Sequence, residues 1–457
     1  MRLGYSIITL ILIVNSCLAQ LRDITILQNY IKIKSVSGHE KQAGIYLKNV
    51  AIDLGLYITV FNDLDSSYNF CASVLPLSLD KKSIVLQNHI DVVPAENDSS
   101  WKIPPFDGIV KNDTVYGRGS IDVKGLAIMQ LFALHQLKQQ IDTNKLKNNF
   151  VVLCMSGEET GGLNGAAKIV KDSVLKRLNP CVVFGEGGGG ITNVIPGKPN
   201  DLCFFVSNAE KKSLWLRLDA TVKSHGVPSS KTANKLLLKA IQKIENAESR
   251  IYIDKSTEVT FHKIGHEIAG FKGFILSHLN WWIFKPIRKK ALNDNLALKS
   301  LVTNSYQLTR IQNPNGAVNQ LSQTATAYYD CRLLPNKKER PLLMKLLFRI
   351  IDPRIKITVL DESPEAEPSE LNADYLNIEK AVKQNYPDAV VMPVLFPATT
   401  DNSYFRNAGV NSYGFLPFCL NEEMMESVHS SNEKLPVNAI AQGIKLYYDL
   451  MMIYTSN

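Results

Sequence analysis

Five side chains of the types that bind metal ions occur in short, distinctive contexts along the 457-residue chain. Two are histidines and three are carboxylates, and a further carboxylate, Glu158, stands directly before one of them. The five residues are His89, Asp122, Glu159, Glu186 and His429. Such a set suits a pair of divalent cations, and the additional carboxylate can serve as a general base. The residue types therefore indicate a hydrolase with two metal ions.

The first context is LQNHIDVVP, residues 86–94, which ends an apolar run typical of a buried strand. Residues two apart on a strand share a face, so the Asp91 carboxylate can accept the imidazole N–H of His89 that faces away from a metal. An isolated His-x-Asp is more often a hydrogen-bonded core pair. The other contexts favour His89 as a ligand and Asp91 as its support.

Asp122 lies in YGRGSIDVKG, residues 116–125, where three glycines surround the carboxylate. The following stretch, residues 126–137, has the apolar spacing of a helix. A GxGSxD sequence could also be a phosphate-binding loop, but this one lacks the Gly-Lys-Ser/Thr ending that contacts a nucleotide and its magnesium ion. The context favours a metal ligand over a nucleotide site.

The remaining carboxylates follow predicted strands. The apolar run over residues 150–155 leads into Glu158 and Glu159, whose side chains point in different directions, so that one can bind metal while the other acts as a base. Another run, residues 181–184, leads to Glu186 and four glycines. His429 stands far downstream in SVHSSNE. Taken singly, these would be solvated acids, a flexible loop and a structural histidine.

Taken together, HxDVVP, GRGSxDxKG, GEE and xHxxNE resemble the M20 family of co-catalytic zinc metallopeptidases and aminoacylases. The resemblance covers nearly the whole chain after its first twenty residues. It is strongest to the carboxypeptidase S and N-acyl-amino-acid hydrolase branch, whose pattern also appears at residues 211–228, 281–289 and 316–335.

The resemblance implies a role for each ligand. His89 and Glu186 would hold one zinc ion, Glu159 and His429 the other, and Asp122 would bridge them. Glu158 would be the general base, and the bond between Asp122 and Val123 would be a cis peptide.

Two zinc ions about 3.5 to 4 Å apart can share one water, lower its pKa and polarise a carbonyl group. Cobalt or manganese would suit the same ligands. The predicted activity is hydrolysis of the amide bond in N-acyl-amino acids, or release of the C-terminal residue of short peptides.

Strands and helices alternate over residues 23–208 and again from residue 361, which predicts an α/β mixed-sheet catalytic domain in two parts, residues 20–210 and 362–457. Residues 211–361 are predicted to form an inserted two-layer α+β lid, of the kind that mediates dimerisation in the family. Its predicted elements are strand 213–223, helix 231–247, strand 324–333, helix 338–351 and strand 355–360.

Three residues of the insertion match substrate-binding positions of similar proteins. His225 and Asn319 would stabilise the reacting carbonyl, often across a dimer interface, and Arg332 would help to hold a substrate carboxylate. The alternative for Arg332 is a surface arginine on a strand. The chain departs from the branch where Ser403 occupies a position that is often arginine, which leaves the carboxylate requirement open.

An apolar, aromatic stretch runs from Ile268 to Phe284 and is followed by basic residues. It is short and carries Lys272, so it does not read as a membrane span. The plainest interpretation is a buried helix that packs the lid. The alternatives are a pocket for a fatty-acyl chain and a contact with a membrane.

Residues 1–19 read as an export signal, with small residues placed for cleavage before Gln20. We therefore expect the protein to act outside the cytoplasm, and a lipid anchor at Cys17 is the alternative. The net charge of +8 is spread along the chain, which argues against nucleic-acid binding.

The expected partner is a small-molecule or short-peptide substrate, and the sequence leaves open whether the lid also pairs two copies of the chain. The alternative function is a metal-binding pseudoenzyme that uses the lid as a partner surface. A serine hydrolase is disfavoured because the chain lacks the Gly-x-Ser-x-Gly turn that exposes a nucleophile.

Overall fold

The chain forms two compact units. The computed structural model describes residues 21–95, 100–222, 232–247, 249–268, 270–293, 296–313 and 321–456, so the predicted export signal and Cys17 lie outside the described residues. The first unit contains the described parts of Met1–Ser207, Ser369–Met392 and Thr400–Asn457. The second contains those of Asn208–Pro368 and Pro393–Thr399.

Helices and strands are numbered along the chain. The first unit contains α1 (21–32), α2 (Lys41–Asp53), β1 (Tyr57–Leu64), β2 (Ser67–Ser73), β3 (Ser83–His89), β4 (Ile109–Lys111), β5 (Thr114–Tyr116), α3 (Lys124–Gln140), β6 (Asn149–Met155), α4 (Ala166–Ile169), α5 (Asp172–Leu178), β7 (Pro180–Gly185), β8 (Gly188–Ile191), α12 (Ala373–Asn385), α13 (Asn402–Asn407), β15 (Ser412–Gly414), β16 (Cys419–Leu420), α14 (Glu422–Ser427), β17 (Lys434–Pro436) and α15 (Val437–Ser456). The second contains β10 (Lys212–Thr221), α6 (Ala233–Glu245), α7 (Lys255–Glu267), α8 (Phe271–Ser277), α9 (Lys285–Asn293), α10 (Leu296–Ser300), β11 (Ser305–Gln312), β12 (Thr324–Leu333), α11 (Glu339–Ile350) and β13 (Ile355–Glu362). The chain passes between the units within β9 (Cys203–Glu210) and β14 (Val390–Phe396).

In the described part of the chain, ten strands form a mixed sheet in the order β1-β2-β6-β3-β7-β15-β9-β8-β16, with β14 also paired to β9. The middle strands β6, β3, β7 and β15 run parallel to one another, whereas β1 and β2 are antiparallel. The predicted α/β fold with a mixed sheet is confirmed. Parallel strands end at the same edge, so the residues that follow β3, β6 and β7 are brought together there.

The central strands are buried on both faces. Along β3, Ile84 and Leu86 belong to the core that contains α3 and α15, whereas Val85 belongs to the core that contains α4 and α13. Successive strand side chains point to opposite faces, and a strand covered on both sides is therefore apolar throughout. This explains why β3 and β6 appear in the sequence as continuous apolar runs.

The second unit contains a four-stranded antiparallel sheet in the order β11-β12-β10-β13. Alternate residues of β10, such as Leu216 and Leu218, pack with Leu237 of α6 and Leu347 of α11. The result is one layer of strands and one of helices. The five predicted elements are present, and β11 is an additional strand at the edge of the sheet.

The stretch from Ile268 to Phe284 is not one buried helix, so that interpretation is wrong. It contains α8 and a separate 3₁₀ turn, Trp282–Phe284. Leu279 and Phe284 are buried, but Phe271 and Trp282 remain 71% and 83% exposed. No helix in the described part of the chain has the length and apolar character needed to cross a membrane.

Candidate metal centre

The His89 imidazole is held by the residue that sequence analysis paired with it, but through a different atom. Its Nδ1 lies 2.9 Å from the backbone carbonyl oxygen of Asp91, whereas the Asp91 carboxylate is 3.6 Å away. A carbonyl oxygen can only accept, so the proton belongs on Nδ1 and the lone pair on Nε2. That assignment leaves Nε2 available for a metal ion.

The Asp91 carboxylate instead organises the turn that follows β6. It accepts hydrogen bonds from the backbone N–H groups of Gly157, Glu158 and Glu159 at 2.8, 3.1 and 3.2 Å. The Ser37 hydroxyl donates a fourth bond at 2.8 Å. Asp91 therefore fixes the direction in which both glutamates leave the backbone, and its two lone-pair-bearing oxygens are already engaged.

Glu433 performs the same task for the Asp122 loop and was missed by sequence analysis. Its buried carboxylate accepts from the backbone N–H groups of Gly119, Ile121 and Asp122 at 2.8, 2.8 and 3.1 Å. The Arg118 guanidinium donates to it at 2.8 Å. The signal was present, because Arg118 and Glu433 lie inside the motifs that contain Asp122 and His429.

Replacing Arg118 by methionine is expected to lower the free energy of unfolding by about 3 to 5 kcal/mol, because it leaves the Glu433 charge buried without its counter-ion. The measurement is urea denaturation of the purified variant. The control is Arg340→Met, which breaks the half-exposed ion pair of Arg340 with Glu362. It should lower the free energy of unfolding by only about 0 to 1 kcal/mol. Equal losses at the two sites would contradict the supporting role.

Asp122 lies between two histidines and presents a different oxygen to each. Its Oδ1 is 2.9 Å from Nε2 of His89, and its Oδ2 is 3.0 Å from Nε2 of His429. The Nε2 atom of His89 also lies 3.7 Å from Oε1 of Glu186, and the Nε2 atom of His429 lies 3.1 Å from Oε2 of Glu159. Two three-residue donor groups thus share Asp122, and within each group the ligand atoms lie within 4.8 Å of one another.

The backbone is unusual at both ends of this arrangement. The peptide bond between Asp122 and Val123 is cis, which confirms the sequence-based expectation. His429 has a left-handed conformation with φ of 58°. Histidine tolerates that conformation better than most residues do, and here it directs the ring toward Glu159 and Asp122.

Glu158 is absent from both of these groups, although it forms a third potential donor group with His89 and Glu159. Burial, followed by the negative charges of Glu186 and Asp401, raises the pKa of Glu158 well above its ordinary value. A carboxylate that holds a proton this readily suits a group that must take up and release protons.

The ligand side chains show the charge balance expected of a cation site. Burial alone would raise the pKa of Asp122, but the hydrogen bonds from His429 and His89 outweigh it and hold that pKa below its usual value. Hydrogen bonds to Asp122 and Glu159 raise the pKa of His429 to about 10. Burial raises the pKa of Glu186 to about 7. Positive charge is needed among these carboxylates, and two divalent cations would supply it.

The backbone of Glu186 has a polar support that the sequence did not reveal. Asn402 donates from Nδ2 to the Glu186 carbonyl at 2.9 Å. Its Oδ1 in turn accepts from Gln87 and from Ser412, each at 2.7 Å. The side chains of Asn402, Gln87 and Ser412 are all buried. Their hydrogen bonds therefore fix the backbone at Glu186, directly after β7.

The predicted substrate-binding residues are less completely placed. Arg332 lies on β12, half-buried, and its Nε donates to Asp330 at 3.0 Å. His225 and Asn319 lie outside the described residues. Ser403, which stands where the branch often has arginine, is buried and donates its hydroxyl to the carbonyl of Thr400 at 2.9 Å.

A carboxylate shared by two histidine-containing donor groups, with a further half-buried carboxylate beside them, is the arrangement of a metal-dependent hydrolase. The comparison with known families agrees. The model of peptidase family M20/M25/M40 matches residues 85–453, and the chain belongs to this family. It is therefore a metal-dependent hydrolase of amide bonds.

Curated relatives extend over most of the chain. A probable carboxypeptidase S-like 2 from Dictyostelium discoideum is 27% identical over 376 residues, which are 81% of this chain and 71% of the relative. The N-fatty-acyl-amino acid synthase/hydrolase PM20D1 of Bos taurus is also 27% identical, over 80% of this chain and 73% of its own.

Solved structures share the fold. The M20 family metallo-carboxypeptidase Sso-CP2 from Sulfolobus solfataricus matches with a TM-score of 0.70 at 19% identity, over 95% of this chain and 99% of that one. The YXEP protein of Bacillus subtilis, described as a dinuclear metal-binding peptidase, matches with a TM-score of 0.60 at 12% identity, over 96% and 98% of the two chains.

Proposed function

We propose that the protein uses two zinc ions to cleave the amide bond between an acyl group and a terminal amino acid, in N-acyl-amino acids or in short peptides. The observation that carries this proposal is the position of Asp122, whose two oxygens face different histidines. One carboxylate placed in this way can serve two cations at once. The balance of two nitrogen and three carboxylate donors suits zinc, with further positions left for water and substrate.

The chain's own residues divide the work. His89 and Glu186 would hold one ion, His429 and Glu159 the other, and Asp122 both. When bound, such a pair of ions lowers the pKa of water and polarises the substrate carbonyl.

Glu158 takes the proton of the attacking water and delivers it to the departing amine. Its raised pKa favours the uptake, and the bond from its backbone N–H to Asp91 keeps the carboxylate in place.

Recognition of the terminal carboxylate is proposed for Arg332, together with Lys211. Burial, and then the charge of Arg332, lowers the pKa of Lys211 to about 8. Two neighbouring cationic side chains repel one another, and a bound anion would reduce that repulsion and stabilise both charged forms. Both residues of this pair belong to the second unit, and they could supply the positive charge that Ser403 does not.

The acyl group of the substrate belongs to one of two classes, peptidyl or fatty-acyl. The carboxypeptidase S-like relative points to a peptidyl group, and the N-fatty-acyl-amino acid synthase/hydrolase relatives to a fatty one. The alternative function, a pseudoenzyme, would keep the metal ions without turnover. Glu158 favours an enzyme, because it lies outside the two donor groups that share Asp122 and those groups can hold the metal ions without it.

The experiment is amino-acid release, followed by mass spectrometry, from N-fatty-acyl amino acids and blocked dipeptides, each as the free acid and as the carboxamide. We expect release from at least one acyl class. The carboxamides should have a kcat/KM lower by about a hundredfold, because the cationic groups are left without their partner. Arg332→Gln should reduce this preference for the acid. No release from any substrate, with two zinc ions measured in the protein, would favour the pseudoenzyme.

A further inference from the structure

We propose that the second unit carries a surface that docks on a lipid bilayer containing anionic phospholipids. This surface, the aromatic–basic patch, combines five exposed apolar side chains with five cationic ones. Its members are Phe271, Phe274, Trp281, Trp282, Ile283, Lys272, Lys285, Arg288, Lys289 and Lys290. The proposal concerns where the protein works and goes beyond the proposed reaction.

The apolar members are exposed together rather than singly. All five fall within residues 271–283 and are more than 40% exposed. Scattered apolar side chains are ordinary on a protein surface, but a contiguous group that includes two tryptophans marks a contact with another apolar phase. Tryptophan in particular favours the boundary between water and lipid.

The rings are held in place by one another and by a small core of their own. The ring centroid of Phe274 lies 6.3 Å from that of Phe271 and 6.0 Å from that of Trp281. The Trp281 ring stacks on the buried Phe284 ring, with 6.3 Å between their centroids. Beneath them, a separate core includes Phe261 and Leu279. Phe271, Trp281 and Trp282 do not belong to that core. They form a preorganised apolar face.

The charge of the segment selects the lipid. Residues 268–290 contain five lysines and arginines and no aspartate or glutamate. The helix α9 follows the Trp282–Phe284 turn directly, so the cationic side chains of Lys285, Lys289 and Lys290 begin where the apolar face ends. Apolar side chains that enter the lipid boundary beside lysines that meet its headgroups are typical of peripheral membrane binding.

A cavity beside α9 strengthens the assignment. It has a volume of about 800 Å³, and five of its described lining residues are cationic, Arg250, Lys285, Arg288, Lys289 and Lys299, whereas Glu245 is the one acidic residue among the described lining. A basic concavity of this size can accept an anionic headgroup. The cavity and the aromatic–basic patch share the cationic residues Lys285, Arg288 and Lys289 of α9, so an anionic lipid surface can engage both.

A second copy of the chain fits the patch less well. In a symmetric dimer the same patch faces itself, which would bring two sets of five cations together. Like charges across an interface oppose association. An acyl chain alone would engage the rings but not the lysines, whereas an anionic bilayer engages both.

The test is co-sedimentation of the protein, with the metal ions it carries when purified, with phosphatidylcholine vesicles that contain or lack phosphatidylserine. The chain should start at Gln20, which keeps every described residue and removes the apolar run of residues 5–14 that could itself enter a bilayer. We expect binding to the phosphatidylserine vesicles that weakens as salt is added. No hydrolysis is involved, so the outcome is independent of the proposed reaction.

Matched variants separate the apolar and the charged contributions. Phe271→Ala with Trp282→Ala should reduce vesicle binding by about tenfold or more, whereas Phe348→Ala on α11, 68% exposed in the same unit, should leave it unchanged. Lys285→Gln and Lys289→Gln should each weaken vesicle binding by about fivefold. Lys345→Gln, at an exposed position of α11, should change vesicle binding little.

Three results would overturn the proposal. The first is an absence of binding to phosphatidylserine vesicles. The second is equal binding by the patch variants and their controls. The third is a dimer, seen by light scattering, that Phe271→Ala with Trp282→Ala dissociates, since the occupant would then be a second copy.

Discussion

Replacing Glu158 by glutamine is expected to lower kcat by about a thousandfold, because general acid and base catalysis by one positioned group contributes on that scale. The substitution keeps the size and the hydrogen-bonding backbone of the residue but removes its ability to take up a proton. Glu158 is absent from the two donor groups that share Asp122, so the variant should keep its metal ions. The measurement is amino-acid release beside metal analysis of the same sample.

The control is Glu426→Gln, the same chemical change at an exposed position of α14. It should retain full activity. Glu158 also lies near His89 and Glu159, so the metal content of its variant decides between two roles. Loss of activity together with loss of metal would show a ligand rather than a base.

Replacing Asp122 by asparagine is expected to have the largest effect on metal binding. Because both oxygens of this carboxylate face histidines, the loss of its charge should weaken both positions, by at least about a hundredfold each. His429→Ala removes a donor from one group only, so that variant should retain one of two ions. The measurement is metal stoichiometry after dialysis against a fixed free zinc concentration.

The exposed Asp388→Asn serves as the control and should bind as the unaltered protein does. If Asp122→Asn retained both ions while His429→Ala lost both, the shared carboxylate would not be the bridge. If each variant lost one ion, two independent sites would be the better description.

The sequence was sufficient to identify the candidate metal ligands because short motifs surround them, and several of these motifs stand at the end of a predicted strand. His89 ends β3, and Glu158 and Glu159 follow β6. A parallel sheet brings such positions to one edge, so the sequence predicts that His89 lies close to the two glutamates. The large mixed sheet was predictable for the same reason, since its central strands are apolar throughout.

The contacts of the residues that support the ligands were not predictable in this way, although Arg118 and Glu433 lie inside the recognised motifs. Glu433 and Arg118 are 315 positions apart in sequence, and Asn402 reaches the carbonyl of Glu186 across 216 positions. Polar contacts over such distances depend on the finished fold rather than on a local pattern. The same holds for Asp91. Its carboxylate accepts a hydrogen bond from the backbone N–H of Glu158, and its backbone carbonyl, not its carboxylate, accepts from the imidazole of His89.

Two elements of the second unit show the limits of hydrophobic patterns. The strand β11 was missed because it lies at the sheet edge, where polar residues such as Gln307 and Arg310 are compatible with strand structure. The stretch that contains α8 was expected to be buried because it is apolar. Its aromatic rings lie on the surface instead, and composition alone cannot distinguish a core from an interface.

The central claim is metal-dependent hydrolysis at the site built around Asp122, and the most direct measurement is amino-acid release while zinc is removed and restored. A chelator should abolish release, and titration with zinc should restore it in step with the measured metal content, reaching a plateau at two ions per chain. Full activity in protein shown to be free of metal would contradict the account.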